Sequence, residues 1–298
     1  MDRFDSMSTL LAVVESGSLS AAARRLNTPL TTVSRRVAEL EAHLKTRLLN
    51  RSSRRIALTD AGRSYVAACK RILEELGEAE RAASGEYSAP RGDLLITAPV
   101  VFGRLHVLPV VIHFLRAYPE IDIRMTLADR IVNILEESVD LAVRIGRLAD
   151  SSLVARRVGA IRRVICASPA YLAERGTPQE PADLGKHDCI TFEGMTAPET
   201  WVFATRKSET DVAIRSRLVV NTAEAAIDAA KAGIGVTRVL SYQVASALRE
   251  GTLMLALEDF EPAPLPVSLV HVGERLLPLK LRAFLDFATP RLKMVLAA

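Results

Sequence analysis

Ser18-Leu19-Ser20-Ala21-Ala22-Ala23-Arg24-Arg25-Leu26-Asn27-Thr28-Pro29-Leu30-Thr31-Thr32-Val33-Ser34-Arg35-Arg36-Val37-Ala38-Glu39-Leu40 is the stretch that decides the fold. Ser18 is placed to cap a short helix over Leu19–Leu26, and the run Ala21-Ala22-Ala23 lets a second helix approach closely. Asn27 closes that helix, Thr28 can cap the next, and Pro29 suits its first position. In the following helix Leu30, Val33, Val37, Leu40 and Leu44 fall in one narrow stripe at 100° per residue. The opposite face carries Thr28, Thr31, Arg35 and Ala38, flanked by Thr32, Ser34, Arg36 and Glu39. A short alanine-rich helix, a tight turn and an amphipathic helix with Thr, Ser and Arg outside make a helix-turn-helix pattern. The second helix of such a pair enters the major groove of DNA and presents its N-terminal residues to base edges.

The flanks fit this reading. Upstream, Phe4, Met7, Leu10, Leu11 and Val14 are spaced as one helical face, and Gly17 ends that helix. Downstream, residues 48–58 alternate around a polar centre and read as a two-stranded wing with Ser52-Ser53-Arg54 at its tip. An arginine there can enter the narrow, electronegative minor groove. Residues 1–65 hold eleven Lys and Arg against six Asp and Glu, and no acid lies between Ala42 and Thr59. A basic cluster confined to one end suits a polyanion. Thr31, Thr32 and Arg35 are therefore expected at base edges, Ser34 and Arg36 at the sugar-phosphate backbone, and Arg54 in the minor groove. Ser18, Thr28, Arg51 and Ser53 complete the expected contact set. The alternative is an ordinary three-helix domain with a hairpin and no ligand.

Thr59-Asp60-Ala61-Gly62 starts another helix, in which Tyr65, Cys69, Ile72, Leu76, Ala79 and Ala83 are separated by 4, 3, 4, 3 and 4 residues. That is a heptad seam flanked by charge, marginal alone in water. A two-fold partner chain would cover it through Tyr65, Cys69, Ile72, Leu76 and Ala79, and would place two recognition helices on successive turns of the duplex. The chain's own core is the other possible cover. Cys69 reads as a buried small hydrophobe.

Ser84 to Gly92 breaks the helix and marks a boundary. Beyond it strands (94–98, 121–127, 141–145, 163–166, 190–192, 218–220) and helices (101–117, 131–137, 168–174, 223–232, 242–248) alternate, which implies a parallel sheet covered by helices. Ligands in open α/β sheets bind at the carboxyl ends of strands. Here those ends offer Thr97-Ala98-Pro99-Val100, Ala128-Asp129, Arg144-Ile145-Gly146, Asn221-Thr222 and Thr237.

The 298 residues allow two or three domains, and 49% apolar with 25% charged residues excludes a disordered chain. Aromatics are only 5%, which disfavours a nucleic-acid surface built on base stacking. Three scattered cysteines without a CxxC argue against a disulfide framework or structural zinc and suit a reducing compartment. No uncharged run approaches the length of a membrane span and no signal peptide is visible, so the chain is expected to be soluble and cytoplasmic. The five histidines show no metal-ligand spacing, and no GxSxG, GxxxxGK[ST] or GxGxxG fingerprint in its required context is present. His187-Asp188-Cys189 is a poor nucleophile set, because adjacent strand residues point to opposite faces. No enzyme, metal or cofactor is expected.

Over nearly its full length the chain resembles the LysR-type transcriptional regulators. The resemblance is carried by Phe4 through Gly17-Ser18-Leu19-Ser20-Ala21-Ala22-Ala23, by Val33 to Glu41, and by Leu58-Thr59-Asp60-Ala61-Gly62. Thr97-Ala98-Pro99, Phe102-Gly103 and the stretch from Arg144 to Arg156 add to it. It implies a multidomain α+β chain: a winged helix-turn-helix over 1–58, a dimerising linker helix and hinge over 59–90, and an effector domain over 91–298. That domain would have two α/β lobes like the periplasmic binding proteins, one near 91–162 plus 267–298 and the other near 163–266. The resemblance also implies a small-molecule effector between the lobes, with Pro99, Val100, Phe102, Arg144, Thr196, Thr222 and Thr237 as the expected contacts. A structural ion pair of Arg144 near Asp140 is the competing reading for that residue. Implied partners are promoter or operator DNA, further copies of the chain as homodimer and homotetramer, and RNA polymerase, with no membrane. The alternative function is a constitutive DNA-binding repressor whose C-terminal domain only oligomerises. Thr28-Pro29-Leu30-Thr31 departs from the family, where Gln often stands, so base preferences do not transfer.

Overall fold

The computed structural model describes residues 2–50, 56–83, 89–130, 132–134, 137, 139–148, 153–192, 200–204, 209–273 and 277–297. They form two units, Met1–Pro90 and Arg91–Ala298.

In the first unit α1 (Arg3–Ser16), α2 (Leu19–Arg25) and α3 (Leu30–Leu44) precede a ribbon of β1 (Leu49–Asn50) and β2 (Ala57–Leu58), then α4 (Asp60–Ala83). Ser18 caps α2 as expected, its Oγ accepting from Ala21 N at 3.1 Å. Val33, Val37 and Leu40 are buried with Leu10, Val13, Ala22, Ala23, Leu48 and Val66 in one core. At roughly 1.5–3 kcal/mol per fully buried aliphatic side chain, this stripe is what fixes α3 against α1 and α2.

Three local expectations change. α1 buries Ser6, Thr9, Leu10, Ala12 and Val13, whereas Phe4 is exposed. The hydroxyls of Ser6 and Thr9 donate to the carbonyls of Asp2 (2.8 Å) and Asp5 (2.6 Å), so burial leaves neither unsatisfied and the periodicity of large apolar residues misplaces the face. Thr28 does not cap α3: Pro29 occupies the cap position and the Thr28 hydroxyl donates to Leu26 O at 3.0 Å. Leu30, expected in the buried stripe, is 46% exposed.

The second unit contains β3 (Gly92–Ala98), helix α5 (Val100–Ala117), β4 (Ile121–Leu127), β5 (Leu141–Ile145), β6 (Leu153–Ile161) and β7 (Arg163–Ala167). After these come α6 (Pro169–Arg175), β8 (Cys189–Phe192), β9 (Thr200–Ala204), β10 (Glu209–Ala213), β11 (Ser216–Val220), α7 (Ala223–Lys231) and β12 (Val236–Leu240). The chain closes with α8 (Ser241–Arg249), β13 (Met254–Ala256), β14 (Leu265–Val272) and α9 (Leu279–Ala297). One sheet runs β4-β3-β5-β14-β6 and the other β11-β8-β12-β7-β13, with β9 and β10 as a separate antiparallel hairpin.

Neither sheet is wholly parallel. β3 is parallel to β4 and β5, but β14 is antiparallel to β5 and β6; β8 is parallel to β11 and β12, but β7 is antiparallel to β12 and β13. The late strand β14 returns into a sheet begun far earlier, at Gly92, a pairing that local alternation of elements does not reveal. The helix expected over 131–137 is not formed by the described residues of that span, which make turn bonds such as Glu137 N to Asn133 O at 3.0 Å.

α5 is long and apolar enough to cross a membrane by length and composition, although Arg104 and Arg116 interrupt it. Its Phe102, Val107, Val110, Val111 and Phe114 are buried against Leu94, Ile96, Leu141 and the α9 residues Phe284 and Leu285, so it is the core helix of the first sheet. A π-helical turn spans Gly103–Val107, and a Cβ at Gly103 would lie 2.3 Å from Leu127 Cδ2. The second sheet is covered on both faces: Val164, Cys166, Ile190 and Val239 pack toward α7 and α8, and Ile165, Ala167, Cys189 and Val236 pack toward Trp201 and Phe203 of β9.

Candidate functional site

α3 divides cleanly. With Val33, Val37 and Leu40 buried, Thr31, Arg35 and Ala38 are exposed, and Thr28, Thr32 and Ser34 are half-buried beside them. The Arg35 guanidinium is 68% exposed and, among the described residues, makes a 3.4 Å contact with Glu39, one turn along the helix. Arg36 differs: expected at a phosphate, it is instead held by α1, with Nη2 donating to Asp5 Oδ2 at 2.7 Å and Nη1 to Thr9 Oγ1 at 3.4 Å. It braces α3 against α1, as Arg25 and Glu15 (2.7 Å) brace α2. Sequence reasoning missed Leu30, which joins the open face one residue before Thr31; its position at the edge of the stripe was the available signal.

The wing is built from α3. Glu41 Oε1 accepts from both Leu48 N (2.8 Å) and Leu49 N (3.0 Å), so one carboxylate on the helix fixes the entry into β1. β1 and β2 pair as Leu49 with Leu58 and Asn50 with Ala57. The expected wing contacts Arg51, Ser53 and Arg54 lie outside the described residues. Thr59 Oγ1 accepts from Gly62 N at 2.9 Å and donates to Arg47 O at 2.7 Å, capping α4 while tying it to the wing. A Cβ at Gly62 would lie 2.1 Å from Leu48 O, so Leu58-Thr59-Asp60-Ala61-Gly62 is a cap followed by an obligatory close approach.

The start of the heptad seam is partly taken up by the chain's own first unit. Cys69 is fully buried and Tyr65 packs on the core of α1 to α3 together with Val66. Burial pushes the Cys69 thiol up. α4 must first cover its own unit, and only from Ile72 onward does it expose an apolar seam: Ile72 is 40% exposed and Leu76 half-buried, while the Ala79 side chain is outside the described residues.

Four of the seven effector contacts expected in the second unit remain reachable. Pro99 and Val100 are half-buried at the start of α5, Val100 N donating to Asp129 Oδ1 at 3.0 Å. Half-buried Arg144 donates through Nη2 to the Val132 carbonyl, and burial holds its guanidinium below its usual range. Asp140, its supposed ion-pair partner, accepts from Leu95 N at 2.7 Å. Thr222 is exposed and caps α7, accepting from Ala225 N at 3.2 Å. Phe102 and Thr237 are corrections: both are fully buried, Phe102 in the first core and Thr237 donating to Ile190 O at 3.1 Å. Thr196 lies outside the described residues.

His187, Asp188 and Cys189 are held structurally. Asp188 pairs with Arg217 at 2.9 Å, its N–H donates to the Tyr171 hydroxyl at 3.0 Å, and burial pushes the Cys189 thiol up to about 12, far from a nucleophilic thiolate. Among the described residues no group of three His, Cys, Asp or Glu is arranged to hold a metal ion.

Two family models match. The one described as "Bacterial regulatory helix-turn-helix protein, lysR family" covers residues 4–63, and "LysR substrate binding domain" covers residues 88–293. An uncharacterized HTH-type transcriptional regulator of Haemophilus influenzae is 34% identical over 94% of this chain and 97% of its own length. The HTH-type transcriptional activator AaeR of Escherichia coli K12 is 31% identical over 97% and 94%. The structure of CrgA, a LysR-type transcriptional regulator from Neisseria meningitidis, superposes with a TM-score of 0.62 at 31% identity, over 97% of this chain and 98% of that one. An N-terminal helix-turn-helix domain followed by a substrate-binding domain, shared with regulators along nearly the whole chain, makes this protein a member of the LysR family of transcriptional regulators.

Proposed function

We propose that the chain binds specific duplex DNA through α3 and that a small molecule held in the second unit modulates that binding. The observation that carries the first part is the division of α3: an anchored apolar stripe opposite an open face of Thr31, Arg35 and Ala38. Thr31, Thr32 and Arg35 meet base edges, Leu30 packs on a thymine methyl, and Ser34 and the wing residue Arg54 meet the backbone and minor groove. Residues 1–58 form the DNA-binding part, 59–90 the linker and 91–298 the effector part, with lobes near 91–162 plus 267–298 and 163–266.

Pro99, Val100, Arg144 and Thr222, together with Thr196, are the groups that meet an effector, and Arg144 suits an anionic one. A ligand acts there only through different affinity for two states of the assembly. The protein works as a homo-oligomer in the cytoplasm, paired through Ile72, Leu76 and Ala79. An exposed apolar stripe of Leu105, Leu108 and Ile112 on α5 supports further self-association. Titrating the full chain onto the duplex upstream of its own coding region, at several salt concentrations and beside a shuffled duplex, tests the reading. Preference for the native duplex with affinity falling steeply as salt rises supports it, and equal affinity for both duplexes overturns it.

A further inference from the structure

The second sheet carries two positive side chains that meet no countercharge among the described residues. Arg238 on β12 is registered opposite Ile165 on β7, and Arg163 stands two residues along β7 on the same face. Arg238 is 7% exposed and Arg163 half-buried. The Arg238 guanidinium lies 5.2 Å from the centroid of the Trp201 ring, and Nη1 donates to Val202 O at 3.3 Å. Two buried donors of this cluster meet no acceptor among the described residues: Arg238 Nε and Trp201 Nε1, the latter on a fully buried side chain.

Among the described residues no carboxylate acts on either guanidinium. Burial and the neighbouring Arg163 bring Arg238 down to about 9, which still leaves it charged at neutral pH. Two half-buried or buried acids of this half of the chain serve other arginines: Asp188 pairs with Arg217 at 2.9 Å, and Glu261 with Arg162 at 3.2 Å. A cation buried beside a like charge, with a fork of donors partly unused, is costly unless an anion completes it. The guanidinium fork matches a carboxylate in two parallel bonds, and the indole N–H supplies a third donor. Around it Ile165, Phe203 and Leu257 are apolar.

We propose that Arg238, Arg163 and the Trp201 indole N–H form an anion site, where β9 packs on the second sheet, that takes the carboxylate of a small organic acid. None of these groups is among the seven effector contacts named above, and the proposal does not rest on them. The site gives the second sheet its own ligand chemistry and ties β9 to β12 when filled.

Trp201 is the single tryptophan of the chain, so its fluorescence reads this site alone. The full chain is titrated with sodium acetate and sodium butyrate, with sodium phosphate and sodium chloride at matched ionic strength as the other arms. The expected result is a saturable change with the carboxylates, absent with chloride, accompanied by a rise in Tm. Arg238→Met should weaken the response about tenfold or more, the factor for losing a charge-assisted hydrogen bond, and should cancel the rise in Tm. Arg163→Met should weaken it in the same direction and serves if the first variant fails to fold. Arg144→Ala should leave it intact. A response no larger than that to chloride, saturation by phosphate but not by carboxylates, or loss in Arg144→Ala with retention in Arg238→Met would each overturn the proposal.

Discussion

Replacing Arg35 by alanine isolates the readout expected of α3. The side chain is 68% exposed and its internal contact is a 3.4 Å pair with Glu39. An exposed i,i+4 pair contributes about 0.3–0.5 kcal/mol, so the variant should fold with nearly unchanged Tm. A bidentate contact to guanine discriminates by about 1–3 kcal/mol, several times what holds the guanidinium on Glu39, so the arginine can swing to a base. Arg35→Ala should therefore lose roughly 5- to 150-fold in affinity for the native site, with the loss concentrated at one base position. Fluorescence anisotropy on a set of duplexes, each changed at one base pair, measures both effects. Equal affinity of the two proteins would remove Arg35 from the interface. A uniform loss on every duplex, with a salt slope shallower by about one, would make it a phosphate contact and refute the base-reading argument.

Gly62→Ala should lower the stability of the first unit by about 1–3 kcal/mol in urea, because the new methyl meets the Leu48 carbonyl and either α4 or the wing must move. Ile72→Glu should shift the oligomer toward monomer in sedimentation while the helical circular dichroism is kept, whereas Cys69→Glu, at a fully buried position, should unfold the first unit. Cys166 and Cys189 ionise near 12 when folded, against an ordinary 9. Their raised values give stability that is complete below about pH 9 and is lost as pH rises toward 12, by about 1.4 kcal/mol per pH unit for each thiol. Urea midpoints measured upward from pH 8 should show that fall, and Cys166→Ala or Cys189→Ala should make it shallower.

The N-terminal fold was legible because its signals are local. Ser18 caps α2, and the stripe of Val33, Val37 and Leu40 is spaced as a packed helix must be. α1 was misread where hydroxyls bonded to carbonyls four residues back allow Ser6 and Thr9 to displace Phe4 from the core. The expected seam on α4 is covered by the chain's own first unit at Cys69 and in part at Tyr65, for a different reason: a heptad says which face is apolar but not which neighbour covers it. In the second unit the element order was readable, but strand direction was not, since β14 joins β5 and β6 from far along the chain. The groups that fell out of the effector set, Phe102 and Thr237, are sealed by contacts with α8 and β8 that no spacing displays. The pairing of Arg238 with Trp201 depends on β9 folding over β12 and left no trace in the sequence pattern.

Hydroxyl-radical footprinting of the full chain on its own upstream DNA tests most directly that two copies of α3 are presented together to one duplex. Two protected patches on the same face, centred about 34 Å or a multiple of it apart, are the predicted result. A single patch, or protection that persists when the upstream sequence is shuffled, would contradict it.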